Sequence, residues 1–203
     1  IMLDGRRCSD VLKEDIARGG LEVKARRGRP PHLAAVLVGE DGASRTYVEA
    51  KVKACGEVGF RSTLVRLPAS ISEGELLARV QDMNADPELD GFLVQLPLPP
   101  HIDADRIIQA IDPRKDVDGF HPVNVGNMVL GLPGFLPATP SGIYELLKYY
   151  GIETSGKHCV VVGRSNIVGT PISILLSRNT YPGNCTVTLA HSRTTDLPSI
   201  TRQ

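Results

Sequence analysis

The strongest constraint on this chain is the continuous apolar run Leu33-Ala-Ala-Val-Leu-Val-Gly39, which follows a break at Pro30-Pro31. A run of strand length with no polar residue cannot leave one face in water. It suits a strand buried on both faces, as in a parallel sheet covered by helices. The pattern downstream agrees: a helix from Ser44, a strand over Ser62 to Leu67, a helix over Ser72 to Asn84 with Leu76, Leu77 and Val80 inward, a strand over Gly91 to Val94, and a helix from Asp103 to Ile111. Strands alternating with helices imply a parallel sheet with right-handed crossovers, in which ligands bind beyond the carboxyl ends of the strands. Upstream, Val11, Leu12 and Ile16 give Ser9 to Arg27 a helical register that Gly19-Gly20 should weaken or bend. From Phe120 to Pro140 there is no period and Pro and Gly recur, so a functional loop or linker is expected. Thr139-Pro140-Ser141-Gly142 then opens a helix through Ile143, Leu146, Leu147 and Tyr150. The domain boundary is placed here, giving domains 1–140 and 141–203.

At 203 residues the chain is long enough for one large or two small domains. Its 23 basic and 23 acidic side chains balance, so no electrostatic attraction to nucleic acid or an anionic membrane is expected. The basic run Lys24-Ala-Arg-Arg-Gly-Arg29 reads as a solvated helix end. No stretch approaches the roughly 20 apolar residues that span a bilayer, and the N-terminus lacks the apolar core of a secretory signal. A soluble, cytoplasmic protein is therefore expected. Cys8, Cys55, Cys159 and Cys185 are scattered and read as reduced packing thiols. Ile1 ahead of Met2 reads as a cloning remnant.

Chemistry concentrates first at Ser44-Arg-Thr-Tyr47-Val-Glu-Ala-Lys51. Four residues apart on a helix, Tyr47 and Lys51 stand one turn above each other, while Val48, Val52, Cys55 and Gly59 form an adjacent apolar stripe. Ser44 can cap the helix and Gly59 can end it; Lys53 falls outside both stripes and should be solvated. An aromatic ring and an amine are thereby set together on a rigid support, although a packing tyrosine beside a surface lysine would have the same spacing. Gln95 lies just past the strand at Gly91 to Val94, in Gln95-Leu-Pro-Leu-Pro-Pro100, and should converge with Lys51 on one cleft. Lys115-Asp-Val-Asp-Gly119 gathers two carboxylates, too few for a metal site without further ligands.

A second site is expected where the strand His158 to Val162 runs into Gly163-Arg-Ser-Asn-Ile-Val-Gly169 and a helix. Strand, glycine turn and helix N-terminus make a phosphate cradle, although Ser165 stands where G-x-G-x-x-G has its second glycine. The next strand, Cys185 to Ala190, ends in His191-Ser-Arg-Thr194, with Ser192 and Arg193 where an NAD site would carry an acidic residue. With Arg164 nearby, this favours NADP over NAD. His191 fits a structural or cofactor-contact role better than that of an acid.

Taken together, Gly39-x4-Ser44-x2-Tyr47-x3-Lys51, Val94-Gln-Leu-Pro-Leu-Pro99, Lys115-Asp-Val-Asp-Gly119, Pro137-Ala-Thr-Pro140 and Gly163-Arg-Ser-x-Ile-Val-Gly-x-Pro171 resemble the bifunctional methylenetetrahydrofolate dehydrogenase/methenyltetrahydrofolate cyclohydrolase family of folate one-carbon metabolism. Five motifs in order, over nearly the whole chain, are far more specific than any one of them. The resemblance implies an N-terminal α/β catalytic domain with a parallel sheet, an incomplete Rossmann-type NADP-binding domain, and a folate in the cleft between them. It implies Lys51 as the catalytic amine, Gln95 tuning it, Tyr47 stacking on the folate, Asp118 holding the pterin and Ser44 lining the same cleft. For the cofactor it implies Thr139, Gly163, Arg164, Ser165, Ile167, Ser192 and Arg193.

The implied chemistry is oxidation of 5,10-methylenetetrahydrofolate by NADP⁺ to the methenyl cation, then hydrolysis to 10-formyltetrahydrofolate, serving purine, histidine and methionine biosynthesis. A lysine beside such a cation must be neutral or able to share its proton, and an uncharged Gln95 can orient it without locking it as ammonium. A homodimer is the family pattern. Ala138 stands where many members have cysteine, so no thiol chemistry is expected there. The chain ends at Thr201-Arg-Gln203, after only two cofactor-domain strands, so an incomplete cofactor site is expected. A folate- or nucleotide-binding protein without turnover is the alternative, and a different NADP dehydrogenase of similar plan is a second.

Overall fold

The computed structural model describes residues 2–203, with Ile1 outside them. By internal packing the chain divides into two compact units, one of Ser9–His121 and one joining the residues up to Cys8 with Pro122–Gln203. The boundary expected at residue 140 falls inside the second of these units.

The first unit is built on a three-stranded sheet of β1 (His32–Val38), β2 (Arg61–Leu67) and β3 (Gly91–Val94), in the order β2-β1-β3 and parallel throughout. The apolar run is thus the central strand, as a run buried on both faces requires. Ala34, Val36 and Val38 point to one face, where they pack with Phe92 and Val94 against Leu76 and Val80 of α3 (Glu73–Ala85) and Ile107 of α4 (Ala104–Ala110). Ala35 and Leu37 point to the other, against Val48 and Val52 of α2 (Gly42–Glu57). Ser72 and Glu75 close α3 with a reciprocal capping box, and Asp103 caps α4. The second unit carries a two-stranded parallel sheet, β4 (His158–Val162) with β5 (Thr186–Ala190), preceded by α5 (Pro122–Leu130) and α6 (Ala138–Tyr149), with α7 (Gly169–Ser177) between the strands and α8 (Leu197–Thr201) after them. The expected α/β class, with a parallel catalytic sheet and a second small parallel unit, is what the chain adopts.

Four local expectations are corrected. The first helix, α1, runs unbroken from Gly5 to Arg27, because Gly20 is where the Phe60 ring closes on the helix: a Cβ there would lie 2.7 Å from the ring edge. Gly20 marks a close approach rather than a bend, while a Cβ on Gly19 would meet nothing within 4 Å. The stretch 120–140 is not a featureless loop, since α5 occupies its first half. Its inward positions are Asn124 and Met128, and a buried polar residue beside Gly126 hides the helical period. The basic run is only partly solvated: the Arg29 guanidinium donates to both oxygens of Asp90, at 2.6 and 3.1 Å, and Arg27 lies 3.0 Å from the same carboxylate. Arg29 foremost holds the Asp90 carboxyl below its ordinary range. Finally, Asp41 rather than Ser44 caps α2, accepting the Ser44 N–H at 2.8 Å, while Gly59 follows the helix end at φ +76° as expected.

Candidate active site

Lys51 and Tyr47 lie on α2, whose buried stripe fixes its rotation: Val48 is fully buried and Val52 partly so, which turns the Tyr47/Lys51 stripe to the flank. Helical side chains tilt toward the helix N-terminus, so Lys51 reaches back toward the end of the sheet where α2 begins. Its Nζ sits 4.7 Å from the centre of the Tyr47 ring and 3.3 Å from Asp118 Oδ1. Its stem lines an apolar cavity of about 220 Å³, walled by Leu33, Ala35, Val52, Cys55, Leu93 and Val117. Tyr47 keeps half its surface open, so a flat ring face is available beside the amine. Ser44 is buried in the first turn. Lys53, by contrast, is 79% exposed, as expected.

Asp118 arrives on the loop Lys115–Gly119, which runs alongside β3 in the parallel sense through a bridge between Phe92 and Asp116. Burial pushes the Asp118 carboxyl above its ordinary value; the Lys51 charge and hydrogen bond oppose the shift, and the neighbouring Asp116 adds to it. Lys51 and Asp118 therefore form a loose and costly pair, since burial outweighs what the ammonium returns. Gln95 does not join it. Its amide nitrogen donates to Leu96 O at 2.7 Å, and its Oε1 is buried with no hydrogen-bond partner among the described residues. Lys51 is paired with Asp118, and the Gln95 acceptor is left open. No sequence signal separated these two arrangements, because both partners lie on loops.

At the second cradle, β4 and β5 end in register, Val162 opposite Ala190, with the Gly163 N–H donating to Ala190 O at 2.8 Å. This sets Gly163, Arg164 and Ser165 beside Ser192 and Arg193 at one sheet edge, all but Gly163 exposed. The turn demands its glycines. Gly163 has φ +123°, and a Cβ on Gly169 would fall 1.9 Å from Gly163 O. Ile167 is exposed on the turn itself, and Thr139 is exposed in the first turn of α6. Two of the N–H groups expected to be open are taken by Ser165, whose Oγ accepts from Val168 and Gly169 at 3.2 and 3.3 Å. His191 is structural here: its Nδ1 accepts the Arg193 N–H at 3.1 Å in a tight turn closed by Thr194. A glycine turn opening a helix, flanked by two arginines and two exposed serines, fits a dinucleotide phosphate and a further phosphate on its ribose.

Among the described residues no group of three or more acidic, histidine or cysteine side chains could hold a metal ion, and no helix is long and apolar enough to cross a membrane. All four cysteines are free thiols.

Comparison with known proteins agrees with this geometry. Residues 3–118 match the catalytic domain of tetrahydrofolate dehydrogenase/cyclohydrolase, and residues 137–203 match its NAD(P)-binding domain. The bifunctional protein FolD of Cytophaga hutchinsonii is 60% identical over 202 residues, covering 100% of this chain and 70% of that protein. The crystal structure of the bifunctional methylenetetrahydrofolate dehydrogenase/cyclohydrolase FolD from Campylobacter jejuni superposes with a TM-score of 0.94 at 45% identity, over 100% of this chain and 71% of that one. FolD of Trypanosoma brucei, solved with NADP and an inhibitor, gives 0.90 at 36% identity, over 100% and 67%. With both domains matched and the lysine, its carboxylate partner and the glycine turn in place, the chain belongs to the tetrahydrofolate dehydrogenase/cyclohydrolase family.

Proposed function

We propose that the protein oxidises 5,10-methylenetetrahydrofolate with NADP⁺ and hydrolyses the resulting methenyl cation to 10-formyltetrahydrofolate, with domain 1–140 serving the folate and 141–203 the cofactor. The observation that carries this reading is the Tyr47–Lys51–Asp118 cluster, in which a flat ring and an amine on one helix meet a largely buried carboxylate on a neighbouring loop. Tyr47 offers its open face to the folate ring, and Asp118 accepts from the amino and ring N–H groups of the pterin. Those donors compete with Lys51 for the carboxylate. Substrate thereby loosens the ion pair and leaves Lys51 beside a cation, where an ammonium is disfavoured. The Gln95 Oε1 acceptor can then take an N–H of Lys51 and orient the amine.

Hydrolysis follows from that arrangement. Water adds to the methenyl carbon, and the Lys51 amine takes its proton. The same proton is returned to N5 as its bond to carbon breaks, and the carbinol hydroxyl gives up its own proton to the freed amine and thence to solvent as its oxygen becomes the carbonyl, leaving the formyl group on N10. NADP⁺, when bound, accepts the hydride of the preceding oxidation. Gly163, Arg164, Ser165, Ile167, Ser192, Arg193 and Thr139 are the residues we assign to hold it, the arginines selecting the phosphorylated ribose. Assembly as a homodimer and a cytoplasmic location belong to the same reading, and the exposed Val129, Leu130 and Leu132 around the end of α5 support the former.

The test is Lys51→Met, which keeps the stem against its apolar wall and removes the amine. Hydrolysis of methenyltetrahydrofolate should be abolished while folate binding, read by calorimetry, is kept. Full hydrolysis by the variant would remove Lys51 from the mechanism. A protein that binds folate without turnover is disfavoured by the intact cluster.

A further inference from the structure

Asp118 can face Lys51 only if its loop is held in place, and the loop is held by groups that touch neither side chain. Lys115 extends to the C-terminal end of α3, where its Nζ donates to Met83 O at 3.0 Å and Asp86 O at 2.6 Å. Carbonyls at a helix end lack partners within the helix and carry the negative end of its dipole, so an ammonium is well placed there. The carbonyl of the same residue accepts the Phe92 N–H at 2.8 Å, and its N–H donates to Asp112 O at 2.7 Å. One residue therefore ties the loop to α3, to β3 and to its own start. The next tether is the buried Asp116, whose Oδ2 accepts the His121 N–H at 2.8 Å. Beyond it, Val117 fills the space over Gly91: a Cβ at 91 would lie 2.3 Å from Val117 Cγ1 and 3.3 Å from Lys115 O.

We propose that Lys115, by neutralising the C-terminal end of α3, is the positioning residue that holds Asp118 against Lys51, with Gly91 leaving the space this position requires. The proposal deepens the functional reading above and rests on it for its kinetic consequence, though not for its structural one. A misplacement of about 1 Å at a reacting group lowers turnover by up to about a hundredfold. Residues that act through one another are non-additive in double-mutant cycles, whereas independent ones add.

The experiment is a cycle of Lys115→Met and Asp118→Asn, with the kcat/KM of methenyltetrahydrofolate hydrolysis as one readout and the carbon-13 NMR titration of the Asp118 carboxyl as the other. Lys115→Met should lower kcat/KM by about tenfold or more in the parent protein and by less than about twofold in the Asp118→Asn background. It should also move the Asp118 titration away from its position in the parent protein, because both the contact with Lys51 and the burial set that position, and Lys115→Arg, which can still donate to both carbonyls, should restore both. A similar loss in both backgrounds would overturn the proposal, as would an unchanged Asp118 titration. If the parent protein hydrolyses nothing, the functional reading fails, and the NMR titration still decides the positioning role. Gly91→Ala guards against a folding failure of the methionine variant. It should displace Asp118 in the same titration, and adding Val117→Ala should restore it; no displacement by Gly91→Ala overturns the steric half of the proposal.

Discussion

Asp118→Asn should separate stability from function. At 3.3 Å, two unit charges attract by about 5 kcal/mol at an effective dielectric near 20. Against this stand the desolvation of a largely buried carboxylate and its repulsion by Asp116, and burial, the largest of these effects, pushes the Asp118 carboxyl up. Asparagine keeps the shape, removes both penalties and can still accept from Lys51, whose partial exposure lets water solvate the ammonium. The net change in stability should therefore lie within about 1 kcal/mol, or roughly 2–4 °C in Tm for a chain of this size. The sign with pH follows from linkage. Because the folded carboxyl holds its proton to higher pH than the unfolded one, Asp118 makes stability fall as pH rises from the unfolded value through the raised folded value. The asparagine variant should lack that decline and be relatively more stable at neutral pH. Hydrolysis should fall by about a hundredfold or more, the usual scale for loss of one preorganised charged partner. Thermal melts at several pH values and the absorbance of methenyltetrahydrofolate read the two effects. A variant that loses several kcal/mol would show the pair to be structural, and one with full activity would remove Asp118 from the chemistry.

The glycine pair in α1 gives a paired test. Gly19→Ala meets nothing within 4 Å and should stabilise by about 0.5–1 kcal/mol, whereas Gly20→Ala drives a Cβ into Phe60 and should destabilise by about 1 kcal/mol after its gain in helix propensity; denaturant melts decide. Asp112, held at about 2 chiefly by its hydrogen bond from Arg114, stabilises the fold above its ordinary value of 3.8, and that contribution is lost as pH falls from there through about 2. Because Arg114 is exposed and solvent screens the pair, Arg114→Ala should weaken acid resistance only slightly, measured as a small upward displacement of the acid midpoint.

The sheet of the first unit was legible because the run at Leu33 to Gly39 permits only a strand covered on both sides, and the amphipathic spacing of Leu76 and Val80 then supplies one cover. The cofactor turn was legible because Gly163 and Gly169 serve backbone geometry that no other residue admits. Helix α5 escaped because Asn124 occupies an inward position where a period search expects an apolar side chain. The cap of α2 could have been found in Asp41, three residues before Ser44, by the spacing of a capping carboxylate. Spacing along the chain placed Tyr47 with Lys51, because a helix fixes both. It did not say which of Gln95 and Asp118 pairs with Lys51, because the positions of both depend on loops whose course is set by tertiary tethers such as Lys115.

The most direct measurement is the formation of methenyltetrahydrofolate by the purified protein from methylenetetrahydrofolate, followed by absorbance with NADP⁺ in one cuvette and NAD⁺ in the other. Formation with NADP⁺, faster than with NAD⁺, is the predicted result, with the signal then decaying as the same protein hydrolyses the product. Methylenetetrahydrofolate that binds and is neither oxidised nor, as the methenyl form, hydrolysed would contradict the account.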